Sequence, residues 1–515
     1  MEPYSAGWLS VLPPIIAITL AIRTKEVYSS LLTGILVGTA IHATGSGDGN
    51  ILIGTVETAF KTMVAKFDLN IVMFCSMLGG LIYVISLSGG AHAYGRWAIK
   101  RIRGRRSALA STSLLGGFIF IDDYFNCLTV GTVMRPITDA HKISRAKLAY
   151  IIDSTAAPVC IIAPISSWAV AVGSNLRGTG AFESEMAAFM ATIPWNFYAL
   201  LCIFLVLLVS LWDLDFGAMR HAERMAREGK DATRQATGTE NGLSNFKSAG
   251  TVWDMLIPIL ALIVFSSLAL LYVGGYWGKD PQYHSIAAAF GHTEAGPALV
   301  LGSFGALVTA FVLFVGRGLL SIGEFMDGML QGIKAMLPAN LILVLAWTIS
   351  GVCRDLLQTQ AFIGSLAGDA IFLGRLLPAF VFVLAGFLSF STGTAWGTFG
   401  ILIPIVVTVA QAINPGSELV NISLSATLAG SVFGDHCSPI SDTTVLSSAS
   451  ANCTHIDHVS TQLTYAILTA ACSLGGYLVA GITYSLPLSL AVATLLLLAC
   501  VGVLHSGRDE DVRKD

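Results

Sequence analysis

Two adjacent aspartates, Asp122 and Asp123, lie in the apolar run "GGFIFIDDYFNCLTVGTVMRP" (116–136). Asp153, Asp435 and Asp442 occupy comparable stretches, apolar but rich in Gly, Ser, Thr and Pro, whose basic residues, such as Arg135 and Lys147, stand at the ends. A carboxylate in hydrocarbon cannot stay bare: it holds a proton or faces a cation in a hydrated cavity lined by protein. Oxygen donors surround these acids. "DYFN" offers the amide oxygen of Asn126, and "DST" offers the hydroxyls of Ser154 and Thr155. "STGT" supplies Ser391, Thr392, Gly393 and Thr394, and "SPISDTT" supplies Ser438 and Asp442. Pro158 and Pro164 interrupt a helix and free backbone carbonyls. Many hard oxygens at helix breaks suit Na+, with Asp122, Asp123, Asp153 and Asp435 as its carboxylates. Clustered carboxylates repel one another when all are ionised, so a proton competes for the same place, and that competition is a mechanism for antiport.

Other roles are open to the same residues. Asp122 and Asp123 could cap a helix end, Asp153 could sit at an interface, and Asp442 approaches the end of its stretch. Ser and Thr in membrane helices commonly bond to their own backbone. His436, beside Asp435, could titrate near neutral pH or be a hydrogen-bonded core residue. Trp168 and Trp396, each just beyond a break, could line a cavity or simply pack. Arg135 is explained by orientation alone. "CTHIDH" (453–458) fits no standard zinc pattern, and His455 and His458 are expected to be ordinary cytoplasmic-loop residues. No cofactor is expected beyond Na+ and H+ as transported ions.

These residues need a membrane scaffold, and the composition supplies one. The 515 residues are 54% hydrophobic and 12% charged, with a mean hydropathy of +0.72, more apolar surface than a soluble core could hide. The net charge of −3 and the lack of a Lys/Arg-rich arm argue against nucleic acid. The nine cysteines fall mostly in apolar stretches without paired spacing, as free thiols do. The opening "MEPYSAGW" lacks a positively charged n-region, so the first apolar segment is expected to stay as a span.

A crossing helix needs about 20 apolar residues. Candidates fall at 7–22, 27–44, 69–90, 195–212, 252–273, 296–315, 337–352, 463–484 and 486–504. The regions 107–134, 146–176 and 377–450 are too long and too interrupted for one straight helix. "RWAIKRIRGRR" (96–106) precedes the first, and Arg135, Lys142, Arg145 and Lys147 follow it, which places both ends in the cytoplasm and makes it a re-entrant hairpin with Asp122 and Asp123 at its tip. The basic stretch 220–235 is then cytoplasmic as well. The expected fold is all-α and polytopic, with about 11 transmembrane helices plus two re-entrant hairpins in an inverted-topology repeat. The first repeat spans 1–212, with its hairpin near 107–134 and a broken helix at 146–176; 213–250 is a cytoplasmic linker. The inverted second repeat spans 251–484, with an external hairpin near 377–405 and a broken helix at 419–450, and 485–515 adds a helix and tail. Gly117-Phe118 and Gly131 recur at the same spacing as Gly386-Phe387 and Gly400, and both hairpins close on Pro-Ile, at 136 and 404.

The segments "FIDDYFNCLTVGTVMRPITDAHKISRAKLAYIIDSTAAPVCIIAPISSW" (120–168) and "GSVFGDHCSPISDTTVLSSAS" (430–450) resemble the two signature regions of the NhaC-type sodium/proton antiporter family. The resemblance implies Na+ coupling, ion binding at hairpin tips and broken helices, and a rocking or elevator-like movement of one bundle. It carries the site onto Asp122, Asp123, Asp153, Asp435 and Ser391–Thr394. It leaves open a second substrate, since members also resemble exchangers of organic acids, amino-acid carriers and tetracycline efflux proteins.

The leading expectation is an Na+/H+ antiporter, not an enzyme. Its first rival is an Na+- or H+-coupled carrier of a small organic solute, with Trp396, Asn126 and hairpin hydroxyls lining the pocket. An intramembrane aspartyl protease is disfavoured because "SVFGD" departs from the Gly-x-Gly-Asp signature. A channel is disfavoured by broken helices repeated in opposed orientation. The expected partners are Na+, H+ and membrane lipid, with a small organic solute and a homodimer left open. The expected setting is a bacterial inner membrane, N-terminus outside and C-terminus cytoplasmic.

Overall fold

The computed structural model describes residues 3–511 except 25, 47–49, 91–92, 95–96, 98–100, 177–181, 183, 230–249, 287, 290–292, 360–361, 363–370, 415–417 and 440. Most of the expected linker, and the tail charges Arg513 and Lys514, lie outside the described residues. The rest is helical. In the first half, α1 (Leu12–Thr24), α2 (Val27–Ser46), α3 (Ile51–Lys66) and α4 (Leu69–Leu87) precede α5 (Arg105–Phe118), α6 (Asp123–Ala140), α7 (Arg145–Thr155), α8 (Ser167–Leu176), α9 (Glu185–Thr192) and α10 (Phe197–Trp212). After α11 (Ala218–Arg227) come α12 (Trp253–Val273), α13 (Ala295–Gly316), α14 (Ile322–Gly351), α15 (Ile371–Thr392), α16 (Ala395–Ile413), α17 (Glu418–Cys437), α18 (Asp442–Ala451), α19 (His455–Thr483) and α20 (Leu486–Asp511).

Among the described residues, nine helices are long and apolar enough to cross a membrane, or ten if the 53° bent pair 185–195 and 197–212 counts as one span. The chain is therefore an all-helical integral membrane protein. The tally differs from eleven for local reasons. The 7–22 candidate opens with a 3-10 turn and is a shorter apolar helix, while α7–α8 and α17–α18 are interrupted and too polar. Both arms of the second hairpin, α15 and α16, pass the test and outrun the expected 377–405. At 1.5 Å per residue they are about 33 and 28 Å long, against about 21 and 27 Å for α5 and α6. Residues 51–66, which lie between two candidate spans, form α3, with the Asn50 side chain capping it by accepting from Leu52 N and Ile53 N.

The breaks are written in side chains. The Asp122 carboxylate caps α6 by accepting from Phe125 N at 3.0 Å. Gly393 turns the second tip at φ +69°, and Thr394 caps α16 through Gly397 N. Glycine brings backbones together. A Cβ on Gly434 would lie 2.1 Å from Gly386 O, and one on Gly430 2.3 Å from Phe382 O, so α15 and α17 touch backbone to backbone. A Cβ on Gly131 would meet Ser450 Oγ at 2.1 Å, where α6 packs on α18. Gly117, its neighbour in the sequence echo, has open space instead.

An ion network ties the base of the first hairpin to its neighbours. Asp213, left-handed at φ 52° after α10, accepts from Arg105 Nε at 2.8 Å and Lys147 Nζ at 2.9 Å; Lys147 also donates to Asp215 at 2.7 Å. Glu223 of α11 pairs with Arg105 and accepts from Ser144 N. Burial opposes ionisation of Asp213, but Lys147 and Arg105 outweigh it and hold the carboxyl at about 2. Its native-state value lies below the unfolded value of ~3.9, so its stabilisation is present above about pH 4 and is lost as pH falls toward 2.

Gly434→Val is expected to lower the thermal midpoint in detergent by an overpacking cost of about 1–3 kcal/mol or more, while Gly117→Ala leaves it unchanged or slightly raised. Asp213→Asn, which keeps a side chain tolerant of the left-handed backbone, is expected to lower the midpoint at pH 7, with the gap to wild type closing between about pH 4 and pH 2.

Candidate functional site

The first hairpin tip is held by one amide. Asn126 Nδ2 donates to Gly116 O at 2.7 Å, Ile119 O at 2.8 Å and Thr155 O at 3.0 Å, joining both arms of the hairpin to the end of α7. Its Oδ1, expected as an ion ligand, is buried and has no hydrogen-bond donor. Asp122 and Asp123 are both buried. Asp122 also accepts from Ser167 Oγ at 3.0 Å, and Ser167 N donates to Ile121 O at 2.9 Å, so the start of α8 seals the tip. The Asp123 carboxylate receives only the adjacent Tyr124 N, at 3.1 Å. Trp168 faces it, with an indole N–H that makes no well-formed hydrogen bond.

The second centre forms where α7 stops. Ala156 departs from helical geometry at ψ −92°, and Pro158 follows. The carbonyls expected to be free here are largely taken by side chains. Asp153 O accepts from His436 Nε2 at 3.0 Å, Ser154 O from the Cys202 thiol at 3.8 Å, and Thr155 O from Asn126. The Asp153 side chain is fully buried, and its oxygens are used unequally. Oδ2 accepts from Gln462 Nε2 at 2.6 Å, Thr444 Oγ1 at 3.3 Å and His458 Nε2 at 3.3 Å, whereas Oδ1 has no donor at all. Asp435, in the last turn of α17, accepts from Thr443 Oγ1 at 3.1 Å, and His436 packs Nδ1 against the Tyr198 hydroxyl at 3.2 Å.

The remaining expected residues divide. Trp168 and Trp396 meet edge to face at 6.1 Å, with Phe399 at 5.5 Å from Trp168, so aromatics from the two halves close over the centre. Ser391 and Thr392 are buried but donate to Phe387 O and Leu388 O of their own helix, and Thr155 does the same to Ile151 O. Ser154 is buried beside these, Ser438 donates to Phe390 O and ties α17 to α15, and Gly393 with Thr394 makes the turn. Asp442 is exposed at the start of α18 and accepts from the Tyr124 hydroxyl at 3.2 Å, an edge residue of the cluster.

His458 and Gln462 are the functional candidates the sequence reading missed. His458 is no loop residue: it is fully buried on α19, which starts eight residues before the expected 463 boundary. The polar stretch "HIDHVSTQLT" hides the span from a hydropathy window, yet His458 and Gln462 stand four apart and share one helix face. That spacing was the available signal. His455 instead bonds Pro439 O and Ser448 Oγ. Asp213, Asp215 and Glu223 have metal-ligand spacing, but Lys147, Arg105 and Arg227 already neutralise them. Among the described residues, Asp122, Asp123, Asp153 and Asp435 form no ion pair with Lys or Arg; His458 Nε2 meets Asp153 Oδ2 at 3.3 Å.

The family model described as the Na+/H+ antiporter family matches residues 159–482. A Haemophilus influenzae protein described as uncharacterized is 39% identical over 492 residues, covering 94% of this chain and 92% of its own length. The malate-2H+/Na+-lactate antiporter of Bacillus subtilis is 27% identical over 238 residues, 42% of this chain and 45% of its own. Among solved structures, the antimetabolite efflux pump MtrF of Neisseria gonorrhoeae aligns at 12% identity with a TM-score of 0.46, covering 89% of this chain and 97% of that one.

Asn126→Leu removes three buried hydrogen bonds at once. Each orphaned carbonyl costs about 1–3 kcal/mol, so the variant is expected to lose most of its folded yield, as read by size-exclusion chromatography in detergent, while Ser391→Ala, which frees no partner, retains it.

Proposed function

The chain belongs to the Na+/H+ antiporter family, and from that premise we propose that Na+ and H+ alternate on its buried carboxylates Asp122, Asp123, Asp153 and Asp435. One observation carries this reading: among the described residues, these acids are buried without Lys or Arg partners while acceptor oxygens beside them, Asp153 Oδ1, Asn126 Oδ1 and Gln462 Oε1, have no donor. A neutral cluster would need hydrogens there, and a small cation supplies the missing positive charge. Asn126 and the hairpin residues Ser391, Thr392, Gly393 and Thr394 act as neighbours of the carboxylates, with Ser154, Thr155, Ser438 and Asp442 at the edge of the cluster. His436 orients the Asp153 backbone.

The two hairpins and the two broken pairs, α7–α8 and α17–α18, are read as inverted halves, their tips meeting at Trp168 and Trp396. The basic residues Arg105, Lys142, Arg145, Arg220, Arg224 and Arg227 gather around one end, which the positive-inside rule assigns to the cytoplasm. A cavity of about 250 Å³ lies at the other end of α8, lined by Lys66, Asp68, Ser174, Asn175, Trp347 and Arg354. It is separated from Trp168 by less than two turns of α8, about 10 Å at 1.5 Å per residue. Opening the Trp168–Trp396 contact would join that vestibule to the carboxylates.

The same cavity favours a second reading. Lys66 and Arg354, bridged by Asp355, could receive a carboxylate-bearing solute of the kind named for the Bacillus relative, exchanged against Na+ or H+.

In liposomes carrying a pH dye, an imposed Na+ gradient is expected to drive proton movement with no organic solute present. Asp123→Asn and Asp153→Asn are expected to bring it to the level of empty liposomes with the thermal midpoint retained. Because protons compete for the same oxygens, the apparent KM for Na+ is expected to rise as pH falls. Proton movement that begins only when malate or lactate is added would select the second reading.

A further inference from the structure

Resting on the antiport reading, we propose that Asp442 and Tyr124 form the cation entrance from the basic end of the bundle, Asp442 collecting the ion in a water-lined cleft and the Tyr124 ring gating its passage to Asp123. Helices α6 and α18 run side by side from the hairpin tip to that end. Their contacts keep step: the Tyr124 hydroxyl meets Asp442 at 3.2 Å, the Cys127 thiol meets Ser447 Oγ at 3.3 Å, and Gly131 packs on Ser450. Arg145 fixes the far end by donating to Asn452 O at 3.2 Å. One flank of the pair is exposed along its length, through Leu128 on α6 and Asp442, Val445 and Ala449 on α18. Asp442 stands at its inner end. The 10 residues of α18, at 1.5 Å each, put it about 15 Å from the basic end, half the depth of a hydrocarbon core of about 30 Å. A carboxylate exposed at that depth cannot face lipid, so the flank lines water.

The opposite wall agrees. The start of α2 leans on the second hairpin, since a Cβ on Gly397 would lie 2.8 Å from Val27 Cγ1, and the next residue, Tyr28, is within electrostatic reach of Asp442. Glu26, exposed two residues earlier, is within the same reach of Tyr28. Among the described residues no Lys or Arg pairs with Asp442.

Tyr124 stands between outside and inside. Its backbone N donates to Asp123 Oδ1 at 3.1 Å and its hydroxyl donates to Asp442, so one residue joins an exposed carboxylate to one that is 2% exposed. Two residues on, Asn126 presents its donorless Oδ1 at the buried end of the route. A cation settling on Asp442 meets the positive end of that O–H dipole, so the hydrogen bond breaks, the hydroxyl turns its oxygen to the ion, and the ring is released from α18. The proton stays on the hydroxyl throughout. On the other side of the acids Trp168 and Trp396 keep their contact, so the two approaches are not open together.

The test reads water access and charge along the flank of the full-length protein in liposomes, with trimethylammonium-bearing and sulfonate-bearing methanethiosulfonates, which do not cross the bilayer. Labelling is compared with that of the parent chain, most of whose nine cysteines are buried. Val445→Cys, one turn beyond Asp442, and Ala449→Cys are expected to be modified from the side that also reaches Ala140→Cys at the basic end of α6, and from the other side no faster than the parent. At Val445→Cys the cationic reagent is expected to outpace the anionic one by about fivefold more than on a free thiol in solution, and adding Asp442→Asn removes that preference. Asp442→Asn alone is expected to raise the apparent KM for Na+ in proton movement about fivefold while kcat changes less than about twofold, as loss of an ion-collecting charge requires and a folding defect does not. Tyr124→Ala is expected to open Asp123→Cys to the cationic reagent, which leaves it untouched while the ring is present. Val445→Cys and Ala449→Cys both inert from either side, or modified only from the side opposite Ala140→Cys, overturn the proposal, as does a charge preference unmoved by Asp442→Asn. Labelling and preference as expected, without Na+-driven proton movement, support the entrance and remove the antiport reading instead.

Discussion

A carboxylate buried without a permanent positive neighbour must borrow one, and this chain arranges its charges around that requirement. At the ends of the helices, acids and bases are matched: Lys147 with Asp213 and Asp215, Arg105 with Glu223, Arg317 with Asp254, and Lys66 with Asp355. Among the described residues, the acids in the middle, Asp122, Asp123, Asp153 and Asp435, have no Lys or Arg partner. Lys147 lies on the same helix as Asp153, six residues earlier, yet turns to the end of the bundle. The fixed charges hold the architecture, and the acids at the breaks are the ones we propose to take ions that come and go.

Breaking a helix in a bilayer exposes backbone groups that lipid cannot satisfy, and the structure shows how the cost is met. Asn126 covers three carbonyls, His436 covers one and Asp122 caps a helix start. Each of these side chains also stands beside the carboxylate cluster. The polar residues that permit the break therefore also surround the acids, so that folding and the ion handling we propose share the same groups.

Much of this was legible in one dimension. Acids in apolar runs without nearby bases, proline after "DST", and glycine in "STGT" located the interruptions, because a membrane tolerates such residues only where protein or water receives them. What escaped was contact across distant segments. Nothing in the sequence says that Gln462 lies 2.6 Å from Asp153, 309 positions away, or that Trp168 meets Trp396. His458 escaped for a different reason: hydropathy rewards uniform greasiness, and a span whose first turns are polar looks like a loop. The hydroxyls of Ser391 and Thr392, which point to ligands by composition, donate to carbonyls of the preceding turn, a bond that composition does not reveal.

The glycines that let α15, α17 and α19 approach have a mechanical meaning. A Cβ on Gly481 would sit 2.0 Å from Arg375 O, so α19 joins the backbone contact already made between Gly434 and Gly386. Three rods meshed this tightly cannot slide past one another, because each shift in register would drive a carbonyl into a side chain. They must travel as one piece. Along their outer flank runs a groove of about 370 Å³ walled by Phe382, Phe387, Phe390, Phe433, Ile467 and Leu474. If this block moves during turnover, acyl chains in that groove become its bearing, and the viscosity of the surrounding lipid enters the rate of exchange alongside the chemistry at its centre.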